Sequence, residues 1–370
     1  MKYFAALFYL FILLTSYSQQ ELNIKTVAIP QDIWGIEGRF KSGFLLAHRG
    51  IMAHLPKHVA LAGEISLYRK PSGNKKWHSS YRLPQHGVSI IGGSSGNNEV
   101  LGYFVGAYGF LELPLIKAKH FQLDWKLSLG LSYATKKYDA ISNPKNASIG
   151  SNLNVLGCFG AKATYFFQHQ KICLGLDMTH YSNGSFKVPN LGINIPFLSI
   201  GYGQDLFRIK KDSSFLTSSL ADKKWNFGIT AIYSAKQLNM ITDNRYSVFA
   251  LDLFTRKLFT QKAGIELAVN LMSNQSLKEN DTQNEISQSD IFQAGIYAGY
   301  ILPFDRLHFV FGLGAYIKNK LMPNDPIYNR IGLRYLFRNR IQAHFVLKAH
   351  YARADYFELG IGYVFNGKKQ

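Results

Sequence analysis

Lys171-Ile-Cys-Leu-Gly-Leu-Asp-Met-Thr-His-Tyr-Ser182 changes character at every step. Ile172, Leu174, Leu176 and Met178 share one parity, while Lys171, Gly175, Asp177 and Thr179 share the other. Side chains leave a β-strand on alternate faces, so one face of this stretch is a stripe of large apolar groups. The opposite face is polar or small. A helix would scatter both sets around its circumference. A stripe of this kind is the mark of a transmembrane strand with lipid on one side.

The same alternation, rich in Tyr, Phe, Leu and Gly, runs outward in both directions between polar, turn-forming stretches. It predicts strands near 33–48, 58–70, 85–93, 100–115, 121–135, 153–167, 171–184 and 194–207. After a polar linker at 208–224, more are expected near 225–239, 246–259, 263–274, 291–304, 307–319, 328–337, 341–351 and 356–365. The segment 85–93, which contains Gly87, Gly92 and Gly93, has the weakest pattern of the set, and no amphipathic helix is expected.

Composition agrees. The chain has 370 residues, 47 % of them hydrophobic and 14 % aromatic, which excludes a disordered polycation. Two Cys exclude a disulfide scaffold or a Cys-rich zinc module. No stretch beyond the N-terminus is apolar for long enough to form a membrane-spanning helix, whereas barrel strands hide their hydrophobicity in every second residue. Lys2, the apolar run Phe4 to Leu14, and the small residues Ser16 and Ser18 read as a secretory signal over 1–18. The mature chain is then exported. Near its end, Glu358-Leu-Gly-Ile-Gly-Tyr-Val-Phe365 resembles the C-terminal signal of outer-membrane barrels. The expected fold is all-β, an antiparallel transmembrane β-barrel in the outer membrane; a secreted β-sandwich is the competing fold.

The two halves repeat in order. Gly102-Tyr-Phe-Val-Gly-Ala-Tyr, Thr179-His-Tyr-Ser and Leu198-Ser-Ile-Gly-Tyr answer to Gly295-Ile-Tyr-Ala-Gly-Tyr, Ala349-His-Tyr-Ala and Leu359-Gly-Ile-Gly-Tyr. An internal duplication into units 19–207 and 225–370 follows, as two eight-stranded barrels or one of about sixteen strands. The linker is long for a periplasmic turn and favours two modules.

His180 and Ser182 top the apolar stripe, where polar groups are costly and call for a reason. Two apart on a strand, they leave the same face, which gives an imidazole base reach to a Ser nucleophile without an intervening turn. His-x-Ser alone is a common tripeptide at a barrel rim. If the chain starts in the periplasm and 85–93 counts as a strand, the pair lies near the outer leaflet.

His180-x-Ser182-Asn183 followed by Pro189-Asn190-x-Gly192-x-Asn194 resembles the motif of the lipid A 3-O-deacylases, the PagL family. The resemblance spans roughly 33–207 and is sharp over about 180–204. It implies an eight-stranded outer-membrane barrel that removes an ester-linked acyl chain from lipopolysaccharide. By that likeness Ser182 is the nucleophile and His180 the general base; no cofactor or metal is expected. Asn183 and Gly184 are candidate donors to the oxyanion. The family places a Glu fourteen residues after the His; here that position is Asn194, whose amide can fix the imidazole tautomer and cannot neutralise an imidazolium. A neutral Asn in this role is similar to outer-membrane phospholipase A, whose His-x-Ser-Asn-Gly core resembles His180 to Gly184. That runner-up would add calcium and a homodimer.

In the second half the matching strand carries His350 with Ala352 at the Ser position, and His350 falls on the polar parity. That copy is expected to be silent in catalysis. Cys158 and Cys173 are out of register for a disulfide across a turn near His169, and the eleven His lack ligand spacing. The net charge of +19 is dispersed and points to lipid A phosphates or phospholipid headgroups as partners, not to nucleic acid. The expected function is an outer-membrane serine ester hydrolase acting on lipid A or a related lipid. A phospholipase A-like enzyme and a non-enzymatic pore or scaffold with a vestigial motif are the alternatives.

Overall fold

The computed structural model describes residues 31–210, 224–280, 285–351 and 353–365. The expected signal at 1–18 and most of the linker, 211–223, lie outside the described residues, as does Ala352. The first barrel is built from β1 (Gln31–Gly43), β2 (Ala60–Lys70), β3 (Gln85–Ser94), β4 (Tyr103–Lys117), β5 (Phe121–Ala134), β6 (Leu153–Phe167), β7 (Gln170–Ser182) and β8 (Ile193–Lys210). The second comprises β9 (Asn226–Lys236), β10 (Tyr246–Leu258), β11 (Gly264–Asn274), β12 (Phe292–Phe304), β13 (Leu307–Lys318), β14 (Ile327–Leu336), β15 (Ile341–His350) and β16 (Arg353–Val364). Each strand pairs with its neighbours in sequence, and each set closes on itself. In the first barrel β1 meets β8 antiparallel from Gly43↔Phe197 to Gln31↔Lys210. In the second β16 meets β9 through Leu359↔Tyr233 to Val364↔Gly228. The chain therefore forms two eight-stranded barrels and not one of sixteen strands.

Closure follows from the solvent. Hydrocarbon offers no partner to a backbone N–H or C=O, so a sheet survives there only without a free edge. Among the described residues no helix is long and apolar enough to cross a membrane. The alternation sorts the side chains as expected. Ile172, Leu174 and Leu176 (63 % exposed) face outward from β7, while Lys171, Cys173, Asp177 and Thr179 are buried. The neighbouring β8 does the same with Leu198, Ile200 and Tyr202 outside.

The strand bounds differ from the sequence expectation at informative places. Segment 85–93 is a full strand, paired to β2 from Gly93↔Ala62 to His86↔Arg69 and to β4 on its other side. Its glycines suit close approach: a Cβ on Gly93 would lie 2.2 Å from the Leu61 carbonyl oxygen. β1 ends at Gly43, five residues early, and 44–48 leaves the sheet. β8 continues to Lys210, into the stretch read as linker. A short helix, Lys76–Ser80, lies between β2 and β3 where none was expected.

Eight strands enclose a space that side chains can fill. In the first barrel the filling is ionic. Glu64 accepts from Arg39, from Lys41 at 3.2 Å and from Lys126 at 2.7 Å, all buried. Glu37 meets Lys171 at 2.6 Å and Lys162 at 3.2 Å, and Lys162 reaches Glu112 at 2.6 Å. Lys41 also meets Asp177 at 2.8 Å. Cys158 and Cys173 are separate buried thiols, and Cys158 Sγ donates to Asp177 at 3.2 Å. In the second barrel Arg330 bridges Asp252 at 2.9 Å and Glu358 at 2.7 Å, while Phe254, Ala268, Tyr297, Tyr328 and Val364 form an apolar cluster.

Charges removed from water are tolerable only while paired, and loss of one partner strands the others. Glu64→Gln leaves Arg39, Lys41 and Lys126 without their shared charge. It is expected to destabilise the first barrel by about 3–5 kcal/mol. Denaturant titration in detergent micelles measures this, and an unchanged midpoint would show that the network contributes nothing to stability.

Candidate active site

β7 is an odd-numbered strand in an up-and-down barrel, so it runs in the same sense as β1. Its last residues therefore sit at the end of the barrel where β1 finishes, opposite the end at which the described chain enters. His180 continues the outward parity of Ile172, Leu174 and Leu176, and Ser182, two residues on, is the final residue of the strand. Ser182 is only 8 % exposed and His180 is half-buried. Between them Tyr181 points inward, its hydroxyl 2.7 Å from Ser95 Oγ. This inward anchor fixes which face its two neighbours occupy.

Asn194 stands fourteen residues from His180 in sequence and directly opposite it in the β7–β8 register. Nδ1 of His180 lies 2.7 Å from Oδ1 of Asn194. An amide oxygen only accepts, so this contact places the proton on Nδ1 and makes Nε2 the ring nitrogen that carries the lone pair. That is the tautomer a general base needs. The antiparallel pairing thus brings Asn194 to the imidazole without any long-range rearrangement. A further partner comes from beyond β1. Leu46 N–H donates to the Asn194 backbone oxygen at 2.9 Å, and Nδ2 of Asn194 lies 3.0 Å from Nδ1 of His48.

The turn after Ser182 is also organised. Asn183 N–H donates to Asn190 Oδ1 at 2.9 Å, and Asn183 Nδ2 donates to Ser151 Oγ at 2.7 Å. Lys187 N–H donates back to Asn183 Oδ1 at 3.2 Å. Gly184 takes φ +61°, in the left-handed region that glycine enters at no steric cost. Segment 148–151 runs alongside the turn: Gly192 N–H donates to Ser148 O at 3.0 Å, and a Cβ on Gly150 would come within 2.4 Å of the Val188 carbonyl oxygen. Nδ2 of Asn190 is buried with no hydrogen-bond partner among the described residues.

Of the residues singled out in the sequence, His180 and Asn194 are brought into hydrogen-bond contact, and Ser182 closes the same strand. Asn183 and Gly184 form the turn, with the Asn183 N–H engaged by Asn190. His48 and Ser151 were not anticipated. His48 is 146 residues from Asn194 and carries no periodic signal, and Ser151 sits in an irregular loop. In the second barrel His350 faces inward, with Nε2 3.2 Å from the Tyr316 hydroxyl. Among the described residues no group of three or more His, Cys, Asp or Glu could hold a metal ion.

Comparison with known proteins bears on both halves. No curated protein matches the chain. Solved structures that align with it include one described as asymmetric conductivity of engineered proteins, at 10 % identity over 90 % of this chain and 100 % of that one, with a TM-score of 0.20. A triple mutant of Rh. blastica porin aligns at 12 % identity over 90 % and 100 % of the two chains, TM-score 0.18. CdiB from Acinetobacter baumannii aligns at 8 % over 90 % and 60 %, TM-score 0.19. The fold rests on the strand pairing itself. The family matches are of another kind. Lipid A 3-O-deacylase (PagL) matches residues 62–203, and the acyloxyacyl hydrolase C-terminal domain (PagL_C) matches residues 223–367. With both halves matched and the strand order closed around each, the chain belongs to the PagL family of lipid A 3-O-deacylases.

Proposed function

We propose that the protein is an outer-membrane serine ester hydrolase that removes an ester-linked acyl chain from lipid A. The observation that carries this reading is the 2.7 Å contact of His180 Nδ1 with Asn194 Oδ1, on the outward face of a strand that ends in Ser182. Ser182 Oγ attacks the ester carbonyl while His180 Nε2 takes the hydroxyl proton. The tetrahedral intermediate collapses, His180 returns the proton to the departing sugar oxygen, and the acyl group remains on Ser182. Water then attacks the acyl-enzyme, again giving its proton to Nε2, and the fatty acid leaves with Ser182 regenerated.

The oxyanion meets donors of the turn. Asn183 N–H exchanges the neutral Asn190 oxygen for the developing charge, Gly184 supplies the next peptide N–H, and the orphaned Nδ2 of Asn190 adds a third donor. Placement on the lipid-facing parity lets an acyl chain reach Ser182 from the membrane, at the end of the barrel opposite chain entry. With the chain entering from the periplasm, that end is the outer leaflet, where lipid A resides.

Asn194 also keeps the phospholipase A-like reading in view, since a neutral amide suits that enzyme as well. Mass spectrometry of lipid A from cells expressing the wild type or Ser182→Ala separates the readings. The wild type is expected to yield lipid A lighter by one acyl chain and the variant intact lipid A. Identical patterns would sink the deacylase reading, and release of fatty acid from labelled phospholipid in the same membranes would favour the runner-up. Neither outcome is expected of a pore, and both barrel interiors are occupied by buried side chains.

Two substitutions probe the chemistry. Asn190→Asp keeps an acceptor for Asn183 N–H and removes the Nδ2 donor; the deacylation rate on purified lipopolysaccharide should fall about 10²-fold with barrel stability retained. A full rate would make Asn190 a structural residue only. Asn194→Asp introduces the charge that offsets the imidazolium. With the tautomer already held by the amide, the gain is the charge alone, and kcat is expected to rise about tenfold.

A further inference from the structure

Asn194 poses a problem that a carboxylate would not. Two carboxylate oxygens are equivalent, so either can accept from His180. An amide has one acceptor end and one donor end, and only one orientation serves. With Oδ1 toward His180, the imidazole holds its proton on Nδ1 and offers Nε2 to Ser182. Rotated by half a turn, Nδ2 would face Nδ1, the proton would move to Nε2, and the base would be lost.

The other end of the amide settles the choice. Nδ2 of Asn194 lies 3.0 Å from Nδ1 of His48, a good length for an N–H donating to an imidazole lone pair. The Leu46 carbonyl is farther from the same nitrogen, at 3.4 Å, beyond ordinary hydrogen-bond length. His48 is held at this spot because Leu46 N–H donates to the Asn194 backbone oxygen at 2.9 Å, fastening the segment after β1 to the start of β8.

We propose that His48 is a positioning residue: by accepting from Asn194 Nδ2 it holds the amide with Oδ1 toward His180 and so selects the tautomer in which His180 acts as base. This rests on the reading of His180 and Ser182 as base and nucleophile. The relay runs His180 Nδ1–H to Asn194 Oδ1, then Asn194 Nδ2–H to His48 Nδ1, with the proton of neutral His48 on Nε2. It touches neither the substrate nor the reacting atoms. Its worth is tied to the amide, and it loses its purpose if residue 194 carries a symmetric carboxylate.

A double-mutant cycle on the full-length protein in detergent micelles tests this, with purified lipopolysaccharide as substrate. His48→Ala should lower kcat about two- to tenfold, the range one neutral hydrogen bond supplies, with KM little changed. In an Asn194→Asp background the same substitution should cost less than twofold. His48→Gln, whose side-chain oxygen can accept from Nδ2, should recover most of the loss. Equal losses in both backgrounds, or no loss beside Asn194, would overturn the proposal. Ser182→Ala in the same assay separates this from failure of the hydrolase reading, since that reading falls if Ser182→Ala keeps full activity. A second measurement does not depend on activity. Nitrogen-15 shifts of the His180 ring should show Nδ1 protonated in the wild type and a mixture in His48→Ala; a wild-type ring protonated on Nε2 would refute the assignment.

Discussion

A backbone amide in hydrocarbon has no water to turn to, and the rest of this structure follows from that. Each strand must be paired on both sides, so each set of eight closes. Closure in turn fixes two faces for every strand, one toward lipid and one toward a narrow interior. The outer face takes Leu, Ile and aromatic side chains. Inside, long Lys and Arg side chains meet Glu37, Glu64, Glu112 and Asp177 in mutual compensation. Desolvated charges of this kind are weak contributors to net stability, but they punish any arrangement that leaves one of them alone. They thereby disfavour a register slip, which would turn every charge outward into lipid.

The candidate site departs from this sorting at one place. His180 and Asn194 are polar groups on the outward parity, at the rim where the apolar stripe ends. Their mutual hydrogen bond offsets part of the cost of being there, and the register makes it available without strain. The loop that follows Ser182 is held by contacts with segment 148–151 rather than by its own strands. Ser182, the proposed nucleophile, is thus carried at the end of a paired strand, while the groups proposed to meet developing charge sit on a braced turn.

Much of this was legible in the residues. Period-two alternation located the strands of both barrels, and the parity of Ile172 to Met178 told which face His180 occupies. The features without a sequence signal lack one for physical reasons. Segment 85–93 looked weak because Gly87, Gly92 and Gly93 lack side chains to alternate, yet it pairs fully through its backbone. The apolar pattern predicts β1 as far as residue 48 because Phe44, Leu45 and Leu46 continue it past the strand end at Gly43. His48 was invisible for a different reason. Nothing local marks it, and only the closure of β1 onto β8 carries it to Asn194, 146 residues away. The engagement of Asn183 by Asn190 was likewise hidden, since it depends on how the loop folds back and not on spacing.

The closing pairs, β1 with β8 and β16 with β9, have one more consequence. A sheet that ends on itself presents no row of unsatisfied amides for another chain to extend. The usual routes of strand addition, swapped hairpins and fibrous growth are therefore shut to the folded protein. Any companion molecule must recognise it through side chains at the barrel wall or through the loops. The hazard is confined to the interval before closure, when a chain rich in alternating apolar residues still carries open edges.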